Sequence, residues 1–226
     1  MNIEELKSKC QGISLGMFAA DLGDLRRAAV DVTEWGCNIL HFDIMDGVFV
    51  PAMIGGPAMV AALDTAALRD VHFMIENPAD HVASYVKAGA DIIVVHGESN
   101  DAAKAIENIR AAAKEAGRPV LAGLGLMPGT DLADVTDLLG MKPDMILVLS
   151  LDPRTKNPPD ITQACARLNE LRQMAPDAVL AFDGGVTQNS INEIAAANPD
   201  MVVSGSAVLG AKNPKMAYAE MLAALN

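Results

Sequence analysis

Ile39-Leu40-His41-Phe42-Asp43 is a short, β-prone apolar run that finishes in polar residues, and runs of this kind recur along the whole chain. The others cover residues 13–16, 70–74, 91–96, 119–124, 145–149, 179–183 and 201–204. Their starts lie roughly 21 to 34 residues apart, the spacing of strand-helix units. Helical spacing fills 22–34, 79–88, 101–116, 160–174, 190–197 and 214–225. Several of these segments carry their own stops. Lys87-Ala88-Gly89 and Glu115-Ala116-Gly117 read as glycine C-termini, and Asn77 precedes a helix opened by Pro78. Periodicity of this kind admits an open doubly wound sheet, but eight units without a linker or composition break favour closure. The expected fold is α/β, a single (β/α)8 TIM barrel forming one domain over residues 1–226.

Composition agrees with that architecture. Of 226 residues, 51% are hydrophobic but only 4% aromatic, which suits buried parallel strands under alanine-rich helices. Seventeen basic against 29 acidic residues give a net charge of −12, with no basic stripe interleaved with aromatics, so nucleic acid is not an expected partner. The opening MNIEELKSKC carries charges where a secretory signal needs an apolar core, and no run is long enough to span a bilayer. No membrane association and a cytoplasmic location are expected. Cys10, Cys37 and Cys165 form no CxxC pair and are read as reduced thiols.

In a barrel the functional groups gather where strands end. The second strand finishes at His41 and Asp43, which a two-residue period points to one side; the third carries His72, and the seventh finishes at Asp183. Two imidazoles and two carboxylates suit one divalent transition metal, Zn, Fe, Mn or Co. A lone strand-end His or Asp is usually a cap or a structural hydrogen-bonding group; coincidence on three strand ends favours a site. His96, at the end of the fourth strand, is open between the two readings, and His81, inside a helical segment, is expected at the surface. Gly184-Gly185 and Gly205-Ser206 follow the seventh and eighth strands, where small residues let backbone N–H groups approach a phosphate, or else only make tight turns.

Two longer motifs carry a family resemblance. His41-Phe42-Asp43-Ile44-Met45-Asp46-Gly47-Val48-Phe49-Val50-Pro51 resembles the H-x-D-x-M-D-G-x-F-V-P motif of ribulose-phosphate 3-epimerases, and Val71-His72-Phe73-Met74-Ile75-Glu76-Asn77-Pro78 resembles their V-H-L-M-x-x-x-P motif. Ala88-Gly89-Ala90-Asp91, Pro128-Gly129-Thr130, Asp183-Gly184-Gly185-Val186 and Gly205-Ser206-Ala207 extend the likeness across the chain. The resemblance implies a barrel that inverts C3 of a ketose phosphate. It implies His41, Asp43, His72 and Asp183 as metal ligands and Asp43 with Asp183 as the acid-base pair. Met45 and Met74 match methionines beside the reacting carbons, although core packing explains them as readily. A homo-oligomer is implied by resemblance alone, while Asp46, turned away from the His41 and Asp43 face, is expected to be a loop group or one standing behind the ligands instead of a ligand.

The departures cluster around substrate recognition. The family pattern P-S-x-L-S-A-D appears as Leu15-Gly16-Met17-Phe18-Ala19-Ala20-Asp21, without its two serines. The glycine-rich lid after the sixth strand is replaced by Asp152-Pro153-Arg154-Thr155-Lys156-Asn157, whose cations either hold an anion or form a solvated face. A different sugar phosphate, an unphosphorylated sugar, or a non-catalytic sugar-phosphate-binding barrel are the alternatives. A barrel lyase or decarboxylase would call for a leaving group or a strand-end lysine, and no candidate strand ends in Lys.

Overall fold

The structure, a computed structural model, describes residues 1–225; Asn226, the last residue of the expected domain, lies outside them. The strands are β1 (Gly12–Gly16), β2 (Ile39–Asp46), β3 (Met53–Ile54), β4 (Leu68–Met74), β5 (Ile92–His96), β6 (Leu121–Leu126), β7 (Met145–Leu149), β8 (Val179–Asp183) and β9 (Met201–Ser204). The helices are α1 (Ile3–Lys7), α2 (Leu25–Glu34), α3 (Pro57–Ala62), α4 (Val82–Lys87), α5 (Ala102–Ala116), α6 (Thr136–Gly140), α7 (Ile161–Met174), α8 (Ile191–Ala196), α9 (Ser206–Leu209) and α10 (Pro214–Leu225). Eight parallel strands close on themselves. β1 pairs with β9 through Gly12↔Met201 and with β2 through Ser14↔Ile39, so neither neighbour leaves it a free edge. The fold is a TIM barrel, as the eight-unit periodicity predicts. β3 is an antiparallel addition to β2 beyond the barrel rim and too short for sequence periodicity to register.

Alternation sorts the side chains into two cores. Phe42, Phe73 and Phe182 face outward and are fully buried under the helices. Ile39, Ile92, Val94, Leu121, Met145, Leu147, Ala181 and Met201 fill the lumen. Each large side chain buried this way contributes about 1.5–3 kcal/mol. The floor is closed by α1, whose start is held by a capping box between Asn2 and Glu5 and whose Leu6, with Cys10 beyond it, packs into the lumen. Cys10, Cys37 and Cys165 are all free.

One device recurs three times at the floor. Asp91, Asp144 and Asp200 each stand just before a strand, and each clamps the preceding strand at two points. The Asp91 N–H donates to Arg69 O at 2.9 Å while its carboxylate accepts from Arg69 N at 2.9 Å. Asp144 does the same with Ala122 (2.8 and 3.0 Å), and Asp200 with Leu180 (2.9 and 2.8 Å). Two residues before each aspartate the chain turns left-handed, at Gly89, Lys142 and Asn198. A cation faces each carboxylate: Arg118, Lys7 and Arg172 respectively.

Helix boundaries differ from the periodicity in informative ways. The segment expected at 79–88 is divided into a 3-10 turn, Pro78–Asp80, and α4, joined at His81. His81 is exposed, as expected. The segment at 22–34 likewise opens as a 3-10 turn, Leu22–Asp24. No helix among the described residues is long and apolar enough to cross a membrane.

Candidate active site

The inner faces of β2, β4 and β8 bring His41, Asp43, His72 and Asp183 together at the mouth. Asp43 lies in register with His72 across the β2–β4 ladder. One ligating atom from each residue can be chosen so that all four lie within 4.8 Å of one another. His41 Nε2 and His72 Nδ1 each stand 3.2 Å from Asp43 Oδ1, and His72 Nδ1 stands 3.6 Å from Asp183 Oδ2. Ligands on opposite sides of one ion at about 2.0–2.2 Å are about 4 Å apart, so the set has the size of a single-metal site. The donor chemistry fits as well. Each imidazole presents one nitrogen to the carboxylates and has its other nitrogen engaged behind, which is how a ligating histidine is normally held. The group is therefore able to hold one divalent metal ion.

The engaged nitrogens differ in their partners. His41 Nδ1 lies 2.7 Å from Asp70 Oδ2, which also accepts from Ser14 Oγ at 2.8 Å. His72 Nε2 lies 2.8 Å from Nε2 of His96, whose Nδ1 lies 2.9 Å from Glu98 Oε2. Glu98 Oε1 in turn accepts from the Met127 N–H at 2.9 Å and from the Thr130 hydroxyl. His96 is wholly buried. Gly125 makes room for it, since a Cβ there would meet the imidazole ring at 3.3 Å. The sequence reading assigned no role to Asp70 or Glu98 and left His96 open. The available signal was the spacing of Glu98, two residues beyond His96; Asp70 stands 29 residues from the His41 it contacts, and no spacing announces that pair.

Electrostatics divides the carboxylates. Burial alone would disfavour the Asp43 anion, but His41 and His72 beside it outweigh that and hold its carboxyl well below the usual range. Burial pushes the Asp183 carboxyl up, with the Asp43 charge adding to the rise and the imidazoles opposing it. His41, which burial alone would push down, is raised well above the ordinary imidazole value by Asp70 and Asp43. Glu98 overcomes its burial through His96, Thr130 and Met127 and is lowered to about 2, and burial pushes His96 down.

Above the cluster lies a cleft of about 170 Å³, walled by Met45, Met74, Leu149, Leu151 and Pro153. It shares Asp43, Asp183 and Gly184 with a second cleft of about 280 Å³ that runs to Gly16, Ala19, Gly205 and Ser206. Met45, Met74, Gly184, Gly205 and Ser206 thus all border the space over the cluster. Gly185 does not: it turns under the lid, where a Cβ would meet Pro159 at 2.6 Å, and its φ of +63° independently calls for glycine. Gly16 and Gly205 touch closely enough that a Cβ on Gly16 would meet the Gly205 Cα at 3.3 Å, and a Cβ on Gly205 would meet that of Ala19 at 3.2 Å. The two lost serines therefore fall against the Gly205 end of the cleft. Wider clefts of about 540 and 550 Å³ lie at the floor around α1 and Asp144, without an imidazole or thiol in their walls.

The lid between β7 and α7 has a defined shape. Ser150 donates to Gly184 O at 2.8 Å and its own carbonyl accepts from Asp160 N at 2.7 Å, closing the loop at its base. Arg154 is committed to Asp152 through Nε at 2.9 Å and Nη2 at 2.7 Å, and its guanidinium lies 5.7 Å from the Phe49 ring centroid. Phe49 packs on His96, so Arg154 sits on the side of the mouth away from Gly205 and Ser206. Asp46 organises the loop after β2, its carboxylate accepting from Val48 N, Phe49 N and Glu76 N, in line with its expected role.

Residues 12–209 match the sequence profile described as the ribulose-phosphate 3 epimerase family. Similar proteins include the ribulose-phosphate 3-epimerase of Aquifex aeolicus, 35% identical with 79% of this chain and 80% of that protein covered, and that of Synechocystis, 34% identical with 93% and 91% covered. The Bacillus subtilis ribulose-phosphate 3-epimerase is 31% identical over 92% of this chain and 97% of its own length. In backbone shape the chain is similar to 3-hexulose-6-phosphate synthase from Salmonella typhimurium, with TM-score 0.70, 21% identity and 95% and 98% coverage, a likeness of fold alone.

Proposed function

The chain belongs to the ribulose-phosphate 3-epimerase family, and from that membership we propose that it is a metal-dependent 3-epimerase of a ketose phosphate. It is a carbohydrate epimerase and hence an isomerase. The observation that carries the finer reading is the clustering of His41, Asp43, His72 and Asp183 under two adjoining clefts of about 170 and 280 Å³. These four would hold one divalent transition metal, Zn, Fe, Mn or Co, which when bound supplies Lewis-acid stabilisation of negative charge developing on a substrate oxygen. Asp43 and Asp183 act as the proton carriers. One removes the C3 proton from one face of the sugar, giving an enediolate; the other returns a proton to the opposite face, and the roles exchange in the reverse direction. Met45 and Met74, with Leu149 and Pro153, form an apolar wall that hinders water from reprotonating the intermediate at random.

The phosphate end of the substrate is assigned to the second cleft, at Gly184, Gly205 and Ser206, with Gly185 shaping the turn behind it. A second reading, in which the sugar phosphate is a relative of ribulose 5-phosphate, is favoured by one observation: Gly16 and Ala19, where the family pattern has serines, both pack against Gly205. Recognition at that end has changed while the ligand cluster has not. The single (β/α)8 domain, a homo-oligomeric assembly and a cytoplasmic setting belong to the same proposal.

Exchange with solvent tests it. Metal-supplied protein incubated in deuterated water with a panel of ketose phosphates and free ketoses should place deuterium at C3 of at least one phosphorylated member. No exchange with any member, by protein shown to bind a metal and a sugar phosphate, would leave the non-catalytic binding barrel as the correct reading.

A further inference from the structure

We propose that Glu98, acting through His96, sets which nitrogen of His72 carries the proton, so that these two residues are positioning residues for the metal cluster. The argument follows from donors and acceptors. A carboxylate only accepts, so the His96 Nδ1 that faces Glu98 Oε2 at 2.9 Å must donate. The neutral His96 ring then has a bare Nε2, which accepts from His72 Nε2 at 2.8 Å. His72 thereby keeps its proton on Nε2, so that Nδ1, which points at Asp43 and Asp183, is the nitrogen left bare when a cation stands between it and those carboxylates, the form an imidazole needs in order to ligate. His41 reaches the equivalent state in one step, through Asp70. One cluster therefore has two histidines fixed by different means, a direct carboxylate and a two-ring relay.

Glu98 is held to this role from behind. Its Oε1 accepts from both the Met127 N–H and the Thr130 hydroxyl, so that end of the side chain has to be an acceptor. A glutamine at this position must keep its carbonyl oxygen there and turn its NH2 toward His96 Nδ1. Two donors then face each other unless His96 moves its proton to Nε2, which in turn forces the His72 proton onto Nδ1, where it blocks ligation. Asp70 predicts the opposite. Its Oδ2 takes both the Ser14 and His41 contacts, while its buried Oδ1 has no partner among the described residues. Asp70→Asn can keep oxygen on both partners and leave its NH2 at the unpartnered position, with the His41 tautomer unchanged.

The inference rests on the reading of His72 as a ligand, and the experiment separates the two. Long-range 1H–15N spectra of the imidazoles should show wild-type His96 protonated at Nδ1 and bare at Nε2, and Glu98→Gln should reverse this. Zinc titration of the same proteins should show affinity about 10- to 100-fold weaker in Glu98→Gln, a loss typical for groups that orient a metal ligand. Asp70→Asn should leave the His41 and His96 proton positions as in wild type. A wild-type His96 carrying a proton on Nε2, whether as the other tautomer or as imidazolium, would overturn the relay whatever zinc does and even if Glu98→Gln fails to fold. So would a folded Glu98→Gln with unchanged zinc affinity. Failure of the wild type to bind zinc would instead strike the ligand reading itself.

Discussion

Aspartates stand at both ends of this barrel, and their surroundings give them opposite work. At the floor, Asp91, Asp144 and Asp200 each bond to the backbone of a neighbouring strand and face an Arg or Lys. At the mouth, Asp43 and Asp183 face imidazoles and each other, and the guanidinium of Arg154, on the Phe49 side, is committed to Asp152. The floor carboxylates complete hydrogen bonds that strands would otherwise lack. Those at the mouth are crowded together with no Arg or Lys paired to them among the described residues, an arrangement useful for holding a metal and moving protons and costly for stability. The same side chain is thus structural or functional according to whether its partners are already satisfied.

The largest effect expected from breaking this contrast is at the mouth. Asp43→Asn and Asp183→Asn should each lower C3 proton exchange by at least about 100-fold, the lower end of what a positioned acid or base contributes, while the far-UV circular dichroism stays native. Metal content has to be measured beside activity, because both aspartates are also proposed ligands. A fully metallated double variant that still exchanged the proton would exclude the two-carboxylate scheme.

The middle effect is at the floor. Asp200→Ala leaves the Leu180 N–H without its carboxylate acceptor and Arg172 with the Asn198 carbonyl but no carboxylate. We expect a loss of about 1–2 kcal/mol, typical for an orphaned backbone donor. For a chain of this length that lowers Tm by about 2–4 °C per kcal/mol, with kcat for the productive substrate unchanged. A fall in kcat at constant stability would show that the two ends are coupled, contrary to the division drawn above.

The smallest effect belongs to the lid. Because Arg154 is paired with Asp152 and lies on the Phe49 side of the mouth, neutralising both Arg154 and Lys156 should change KM for a phosphorylated substrate by less than about 3-fold, with weak dependence on salt. A strong rise in KM confined to phosphorylated sugars would return the lid to anion binding.

Period-two alternation was enough to put His41 and Asp43 on one side of β2, and the strand ends were enough to bring His72 and Asp183 to the same mouth. The Asp70 contact and the His96–Glu98 relay were not legible, because they depend on where rings and carboxylates from different strands meet inside the lumen. The floor clamps were hidden for another reason. Gly89 announces a left-handed helix stop, but Lys142 and Asn198 adopt the same conformation without the residue that advertises it. The close approach of Gly16 to Gly205 was likewise invisible, since it joins the first and last barrel strands.

That last junction bears on how the molecule is made. During synthesis β2 emerges soon after β1 and can pair with it, but the other side of β1 has no partner until Met201–Ser204 has been added. Until then the growing sheet has two open flanks, each able to accept a strand from another unfinished chain. Ring closure is therefore a late event for the nascent chain, and a ribosome stalled short of β9 would carry an open, adhesive sheet in place of a barrel.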